Sequence, residues 1–309
     1  MALTGTLWTA DVDKYLIIVN PMAGGKDAPK AGQRVADRFD SLGLPYVIEQ
    51  TRSPGDAGRL AGEYADTEYS HYVVCGGDGT LHEVVNGLPS GSQKTIVALP
   101  LGTVNIFAKE YGIPKDVDDA LETLLNGRIA AIQPGRFDGS RFLLMVSVGI
   151  DSHVVRRVTM PWKKWGRLAY GCSFFKALWE YGYPQVRVRI GRQAHTASFA
   201  LVSKCRHYAG FLPITPQAHP EDTTLSICLL TRPGLWPLLR FLTSVLLGRV
   251  RSNPDCLNVT ADHVVLEGRG LGSQADGEPS RPLPLSISID PEQLRFLVPR
   301  TDKPKPPKT

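Results

Sequence analysis

Near-continuous apolar runs at Tyr15–Val19, around Val73–Cys75 and at Thr95–Leu99 are short enough for strands buried on both faces. Between them the pattern turns helical. Ala31, Val35, Phe39 and Leu42 share one face, as do Ala57, Leu60, Ala61 and Tyr64, and then Leu81, Val84, Val85 and Leu88. Pro45–Thr51 reads as a further strand. Asp116–Asn126 reads as a helix (Val117, Ala120, Leu121, Leu124) ended by Gly127. Strands alternating with helices at this spacing predict a doubly wound, Rossmann-like parallel sheet, with ligands bound outside the carboxyl ends of its strands.

After residue 135 the alternation stops. Arg141–Ile150, Phe199–Val202, Leu225–Leu230, Val264–Leu266 and Leu285–Ile289 read as strands. Val186–Ile190 alternates with Arg187 and Arg189, the pattern of an edge strand with one wet face. One strongly apolar helix is expected over Leu235–Leu247; it is too short to span a bilayer. The fold class is therefore α/β plus β. An α/β nucleotide-binding domain covers residues 1–135 and a β-rich sandwich domain covers 136–290. Residues 291–300 are expected to pack back on the first domain, and 301–309 to form a disordered basic tail.

At 309 residues the length fits about two domains. A net charge of +5 permits anionic lipid surfaces or nucleotides without demanding either. The five cysteines are odd in number and never form a Cys-x-x-Cys pair, which argues for reduced thiols in the cytoplasm and against a zinc or disulfide framework. Neither a signal-peptide pattern nor an apolar run long enough for a membrane span is present.

Two of the predicted strands run into glycine turns, Asn20-Pro21-Met22-Ala23-Gly24-Gly25-Lys26 and Gly76-Gly77-Asp78-Gly79-Thr80. A glycine turn between strand and helix lets backbone approach a ligand closely and aims free N–H groups at an anion. The dipole adds only about 0.3–1 kcal/mol per charge, so fixed donors matter more. Asp78 is odd beside an anion unless a cation stands between them. Phosphate with Mg²⁺ satisfies that condition; a tight turn whose Asp caps the next helix is the plainer alternative. Walker A spacing is missing, as is a Gly-x-Gly-x-x-Gly opening a helix. His82-Glu83-Val84-Val85-Asn86 is not a zinc-protease motif, because Asn86 stands where the second His is needed.

Gly76-Gly77-Asp78-Gly79-Thr80 followed by His82-Glu83-Val84-Val85-Asn86-Gly87 resembles the nucleotide-binding signature of the diacylglycerol kinase and sphingosine kinase superfamily, nearest to its bacterial lipid kinases. NAD kinases and phosphofructokinases share the Gly-Gly-Asp-Gly core. Three further motifs in family order separate them: Asn20-Pro21-x-x-Gly24-Gly25, Gly102-Thr103-Val104-Asn105-Ile106-Phe107-Ala108 and Gln274-Ala275-Asp276-Gly277-Glu278.

The resemblance implies ATP and Mg²⁺ as cofactors. Asn20, Gly24, Gly25 and Lys26, then Gly76, Gly77, Gly79, Thr80 and Glu83, then Gly102, Thr103 and Asn105 would surround the nucleotide, with Asp276 and Gly277 completing the set. Asp78 and Asp138 would serve the metal. Ile106 departs from the Asp of many relatives, so Asp78 and Asp138 are expected to suffice. Glu278 is the implied general base, with Asp78 as the alternative. Thr223 replaces a family Gly after Asp222, which puts any metal role there in doubt.

The implied activity is γ-phosphoryl transfer from ATP to a lipid hydroxyl in an interdomain cleft, by a cytoplasmic enzyme peripheral at the inner membrane surface. Diacylglycerol, a sphingoid base or a related lipid would be the acceptor. Residues 154–192, basic and aromatic with Glu180 as the one acid, fit a membrane-facing lip, a nucleic-acid platform or a solvated helix face. Beside a lipid-kinase site the lipid surface is preferred, and no nucleic-acid partner is expected. An NAD kinase-like enzyme and a non-catalytic nucleotide- or lipid-binding protein are the competing readings. Oligomeric state is not encoded in any recognisable pattern.

Overall fold

A computed structural model of the chain describes residues 13–24, 28–149 and 182–300. Gly25, Lys26, the basic aromatic stretch up to residue 181 and the tail 301–309 lie outside the described residues. Two compact units result, one of Met1–Pro134 with Pro291–Thr309 and one of Gly135–Asp290.

In the first unit, β1 (Lys14–Val19), β2 (Tyr46–Gln50), β3 (Tyr69–Gly76) and β4 (Thr95–Pro100) alternate with α1 (Ala28–Leu42), α2 (Asp56–Glu63) and α3 (Asp78–Gly87). After α4 (Ile106–Tyr111), α5 (Val117–Leu125) and β5 (Arg128–Ile132), the late strand β20 (Leu294–Val298) completes a sheet ordered β2-β1-β3-β4-β20-β5. All neighbours are parallel except β20 and β5. Tyr15 to Val19 are at most 1% exposed, which explains why this strand carries no polar face. Each such aliphatic contributes roughly 1.5–3 kcal/mol on burial. The order places the β1/β3 boundary at the point where the winding reverses, the place where open α/β sheets bind ligands.

Two local features differ from the hydrophobic pattern. Leu42, expected on the buried face of α1, is 40% exposed. The helix ends instead in a left-handed Gly43 (φ 66°), with Leu44 N–H donating to the Phe39 carbonyl and Gly43 N–H to that of Asp40, so Leu44 takes the buried place. Helices α2 and α3 meet through glycines. A Cβ on Gly87 would lie 2.0 Å from the Gly58 carbonyl oxygen, so the last residue of the Gly-Gly-Asp-Gly helix serves packing.

The second unit is an antiparallel sandwich. One sheet runs β10 (Gln193–Ala197), β9 (Val186–Ile190), β16 (His263–Glu267), β19 (Leu285–Ile289), β6 (Gly135–Phe137), β7 (Ser140–Phe142). The other runs β15 (Cys256–Ala261), β14 (Leu225–Leu230), β11 (Phe199–Ser203), β8 (Met145–Val148), β17 (Gly272–Ala275), β18 (Glu278–Pro282). A small pair, β12 (His207–Tyr208) with β13 (Leu212–Pro213), and the helix α6 (Leu235–Leu246) complete it. Inward residues of both sheets, among them Val146, Val188, Val202, Ile227, Val264 and Ile287, form one core.

Val186–Ile190 keeps its wet face but is not an edge, because β10 covers it. Asp276-Gly277 does not connect the predicted strands Val264–Leu266 and Leu285–Ile289. Those strands pair directly, and the turn joins β17 to β18 in the opposite sheet.

Candidate active site

In the first unit the glycine turns converge at the carboxyl edge of the sheet. Asn20 follows β1, and its Nδ2 donates to Thr80 Oγ1 at 2.9 Å while its Oδ1 accepts the Met22 N–H. Gly76 leaves no room for a side chain, since a Cβ would meet Thr80 at 2.6 Å. Gly77 and Gly102 touch backbone to backbone: a Cβ on Gly102 would lie 2.6 Å from Gly77 Cα and 2.7 Å from Asn105 Oδ1. Gly24 has φ +63°, and a Cβ there would fall 2.4 Å from the Leu101 carbonyl oxygen. The turns after β1, β3 and β4 are thus packed on one another, which requires glycine at positions 24 and 102.

Asp78 opens α3, yet its carboxylate serves another helix. Its oxygens accept the N–H groups of Ile106 (2.8 Å) and Phe107 (3.2 Å), the first two residues of α4. Sequence reading allowed Asp78 to cap the next helix; it caps α4 across space instead, and α3 has no side-chain cap. Asn105, left-handed at φ 52°, precedes that helix and donates from Nδ2 to the Pro100 and Gly102 carbonyls. Its Oδ1 is buried and accepts no hydrogen bond. Gly79 and Thr80 continue the first turn of α3, and Thr103 is exposed. Glu83 is already engaged: its Oε2 accepts the Ala57 N–H at the start of α2 (3.1 Å).

In the second unit Asp276 and Gly277 form a two-residue turn with φ 49° and 90°, the positive-φ pair that Asp-Gly favours in hairpins. Asp276 is 7% exposed, and its carboxylate accepts three backbone N–H groups, from Leu143 (2.9 Å), Leu144 (2.9 Å) and Met145 (3.0 Å). Gln274 is 2% exposed, with Oε1 accepting the Gly277 N–H and Nε2 facing Ser147 Oγ. The turn is therefore clamped to the segment Leu143–Ser147, and Glu278, first residue of β18, is left exposed on a fixed base. Sequence reading assigned Asp276 to the nucleotide; its geometry is that of a brace. The spacing of Gln274 and Asp276 around one turn is the signal that could have shown it.

Asp138 is the exposed first residue of the β6–β7 turn, with φ 46° followed by Gly139 at 84°. Among the described residues no group of three or more His, Cys, Asp or Glu side chains is placed to hold a metal. Ile106 turns its side chain inward, 7% exposed, and supplies no oxygen. Asp222 closes its own turn, Oδ2 accepting the His219 N–H at 2.8 Å.

Sequence reading missed Lys204. It is 1% exposed, donates from Nζ to the Asp222 carbonyl, and follows the buried run Phe199–Ser203. Burial pulls its ammonium down to about 8, against the opposing attraction of Asp222 and Cys205. A lysine ending an all-buried strand was the available cue.

A bound nucleotide fits the first unit's edge on two observations: the glycine contacts leave backbone bare, and Asn105 Oδ1 is a buried acceptor still open to a donor. The void beneath these turns, about 10 Å³ between Gly77, Asp78, Leu99 and Asn105, holds at most one water. Any ligand must therefore lie on the turns rather than under them. A depression of about 570 Å³ lies between α1 and α5 beside Arg34 and Glu122 and contains none of the predicted residues.

Comparison with known proteins agrees with this geometry. The family described as diacylglycerol kinase catalytic domain matches residues 14–137, and that described as YegS C-terminal NAD kinase beta sandwich-like domain matches residues 144–298. A protein of Pseudomonas aeruginosa named probable lipid kinase YegS-like is 31% identical over 94% of this chain and 95% of its own length. The diacylglycerol kinase of Bacillus subtilis (strain 168) is 28% identical over 87% and 90%. A crystal structure of a diacylglycerol kinase from Bacillus anthracis superimposes with a TM-score of 0.72 over 94% of this chain and 99% of the other; at 19% identity it speaks to the fold alone. With both units matched in order along the chain, the protein belongs to the diacylglycerol kinase and YegS-like lipid kinase family, and is a kinase with an alcohol acceptor.

Proposed function

We propose that the protein transfers the γ-phosphoryl group of ATP to the hydroxyl of a membrane lipid, diacylglycerol or a related alcohol, with Mg²⁺. The observation that carries this reading is the convergence of three glycine-bearing turns at the carboxyl edge of the sheet. It presents bare backbone and the first-turn N–H groups of α3 to an anion, as phosphate binding requires. The names of the relatives supply the lipid acceptor.

Gly24, Gly77 and Gly102 let the phosphates lie against backbone, with Asn20 and Thr80 holding the first two turns in register. The magnesium ion, when bound, neutralises charge on the phosphates. Asp78 is the carboxylate that would serve it, held in place by the Ile106 and Phe107 N–H groups it accepts. Most other ligands would be phosphate oxygens and water, an arrangement usual for this ion. Glu278 accepts the proton of the attacking hydroxyl. It is exposed on a turn that Gln274 and Asp276 hold rigid, so its carboxylate is presented without being consumed by the fold. Such a base contributes typically ~10²–10⁴-fold.

The test is transfer from γ-labelled ATP to a panel of hydroxylated lipids in mixed micelles with Mg²⁺, comparing wild type with Glu278→Gln. A labelled lipid that all but disappears in the variant supports the reading and names the acceptor. ATP binding with no labelled lipid from wild type defeats it.

A further inference from the structure

Helix α6 has two faces of different character. Leu238, Phe241, Ser244 and Val245 are buried, with the Phe241 ring 5.5 Å from that of Phe199. On the other face Trp236, Leu246 and Leu247 are 77%, 71% and 63% exposed. Large apolar side chains this exposed have a cost in water, and two on a twelve-residue helix with a third at its C-cap are not the scattered singles of an ordinary surface.

The charge around them is one-signed. From Thr231 to Pro254 the chain contains four arginines and no acid. The next residue, Asp255, is 1% exposed and lies beneath Arg232 (3.4 Å) and Arg240 (3.1 Å), which are themselves 69% and 54% exposed. The first acid after this stretch of chain is thus withdrawn below the surface. What faces outward is apolar and cationic.

We propose that α6 and the residues that follow it form a docking face for an anionic phospholipid bilayer, with Trp236, Leu246 and Leu247 entering the headgroup boundary and Arg249 and Arg251 meeting the lipid phosphates. The proposal rests on the lipid-kinase reading for its purpose and names the surface that brings that enzyme to its substrate. At 12 residues the helix is about 18 Å long, short of the ~30 Å hydrocarbon core, so it lies in the interface rather than crossing it. Interfacial helices combine an apolar face with Lys or Arg and an aromatic anchor in this way. A second copy of the chain fits less well, because apposed faces would bring arginines against arginines.

The experiment is flotation of the full chain, without nucleotide, on phosphatidylcholine vesicles with and without phosphatidylglycerol. Wild type is expected to float with the anionic vesicles. Trp236→Ala should weaken partitioning roughly tenfold, and Arg249→Gln and Arg251→Gln about fivefold each. Lipids brominated in the acyl chain should quench tryptophan fluorescence in wild type and lose that increment in Trp236→Phe, a readout that needs no destabilising substitution.

Failure of wild type to bind, or binding and quenching unchanged in the Trp236 variants, overturns the proposal. So does a concentration-dependent dimer abolished by Trp236→Glu in a chain that ignores vesicles. Because nucleotide is absent, the two readings fail separately. Docking without phosphoryl transfer defeats the kinase reading, and transfer in micelles without docking defeats this one.

Discussion

Removing the Asp276 side chain tests whether it braces the fold or holds a ligand. In Asp276→Ala three backbone N–H groups, of Leu143, Leu144 and Met145, lose their acceptor inside a site 7% exposed. Each hydrogen bond to a charged acceptor contributes roughly 1.5–3 kcal/mol net. Water entry and relaxation recover part of that sum, and alanine at φ 49° adds about 1 kcal/mol of backbone strain. The expected cost is about 3–5 kcal/mol. For a unit of this size that lowers the melting midpoint by about 10 °C. Asp276→Asn keeps Oδ1 for Leu144 and Met145 but turns an amide N–H₂ towards the Leu143 N–H, costing about 1–3 kcal/mol. Scanning calorimetry reads both midpoints, with transfer assayed well below them. If Asp276→Ala melts within a degree or two of wild type yet transfers no phosphate, the brace is refuted and the carboxylate works on the ligand.

Gly102→Ala would drive a methyl group into Gly77 and Asn105 and part the two turns, so the apparent KM for ATP should rise about tenfold, ~1.4 kcal/mol; initial rates over an ATP series check this, and an unchanged KM would remove the turns from nucleotide binding. Asp78→Asn keeps a capping oxygen for α4 but loses the charge, so transfer should fall at least about a hundredfold while stability drops by only ~1–2 kcal/mol. A variant retaining a large share of the wild-type rate would reduce Asp78 to a cap. Lys204 has its pKa lowered by burial to about 8, below the unfolded value, so the unfolded chain binds more protons between the two and stability should rise with pH through that window. Melting curves from neutral to alkaline pH should show that rise in wild type and not in Lys204→Met; identical slopes would refute it.

Local pattern made much of this legible. The parallel unit was readable because strands buried on both faces and helices with one apolar stripe have distinct periods, and both survive in Tyr15–Val19 and in Val35 and Phe39. The Asp276-Gly277 turn has a local cue, because that pair is chemically suited to positive φ. Its partners have none. A two-residue turn fixes which residues oppose each other locally, but whether β16 pairs with β17 or with β19 depends on which sheet offers an apolar face. The same holds for Val186–Ile190, whose alternation announces one wet face and is silent about the neighbour that covers its edge.

The site divides the same way. Glycine at 24 and 102 marks backbone that must be bare, and that need is written in residue type alone. What lies against each glycine is decided by sheet order, which brings the turns of β1, β3 and β4 side by side. Asp78 shows the limit: its position beside glycines was visible, yet its carboxylate caps a helix that begins at Ile106, far along the chain. Hydrogen bonds between distant segments leave no periodic trace, because either partner alone looks like an ordinary polar residue. Sequence determined which residues had to be small, buried or left-handed; the tertiary structure alone decided which of them meet.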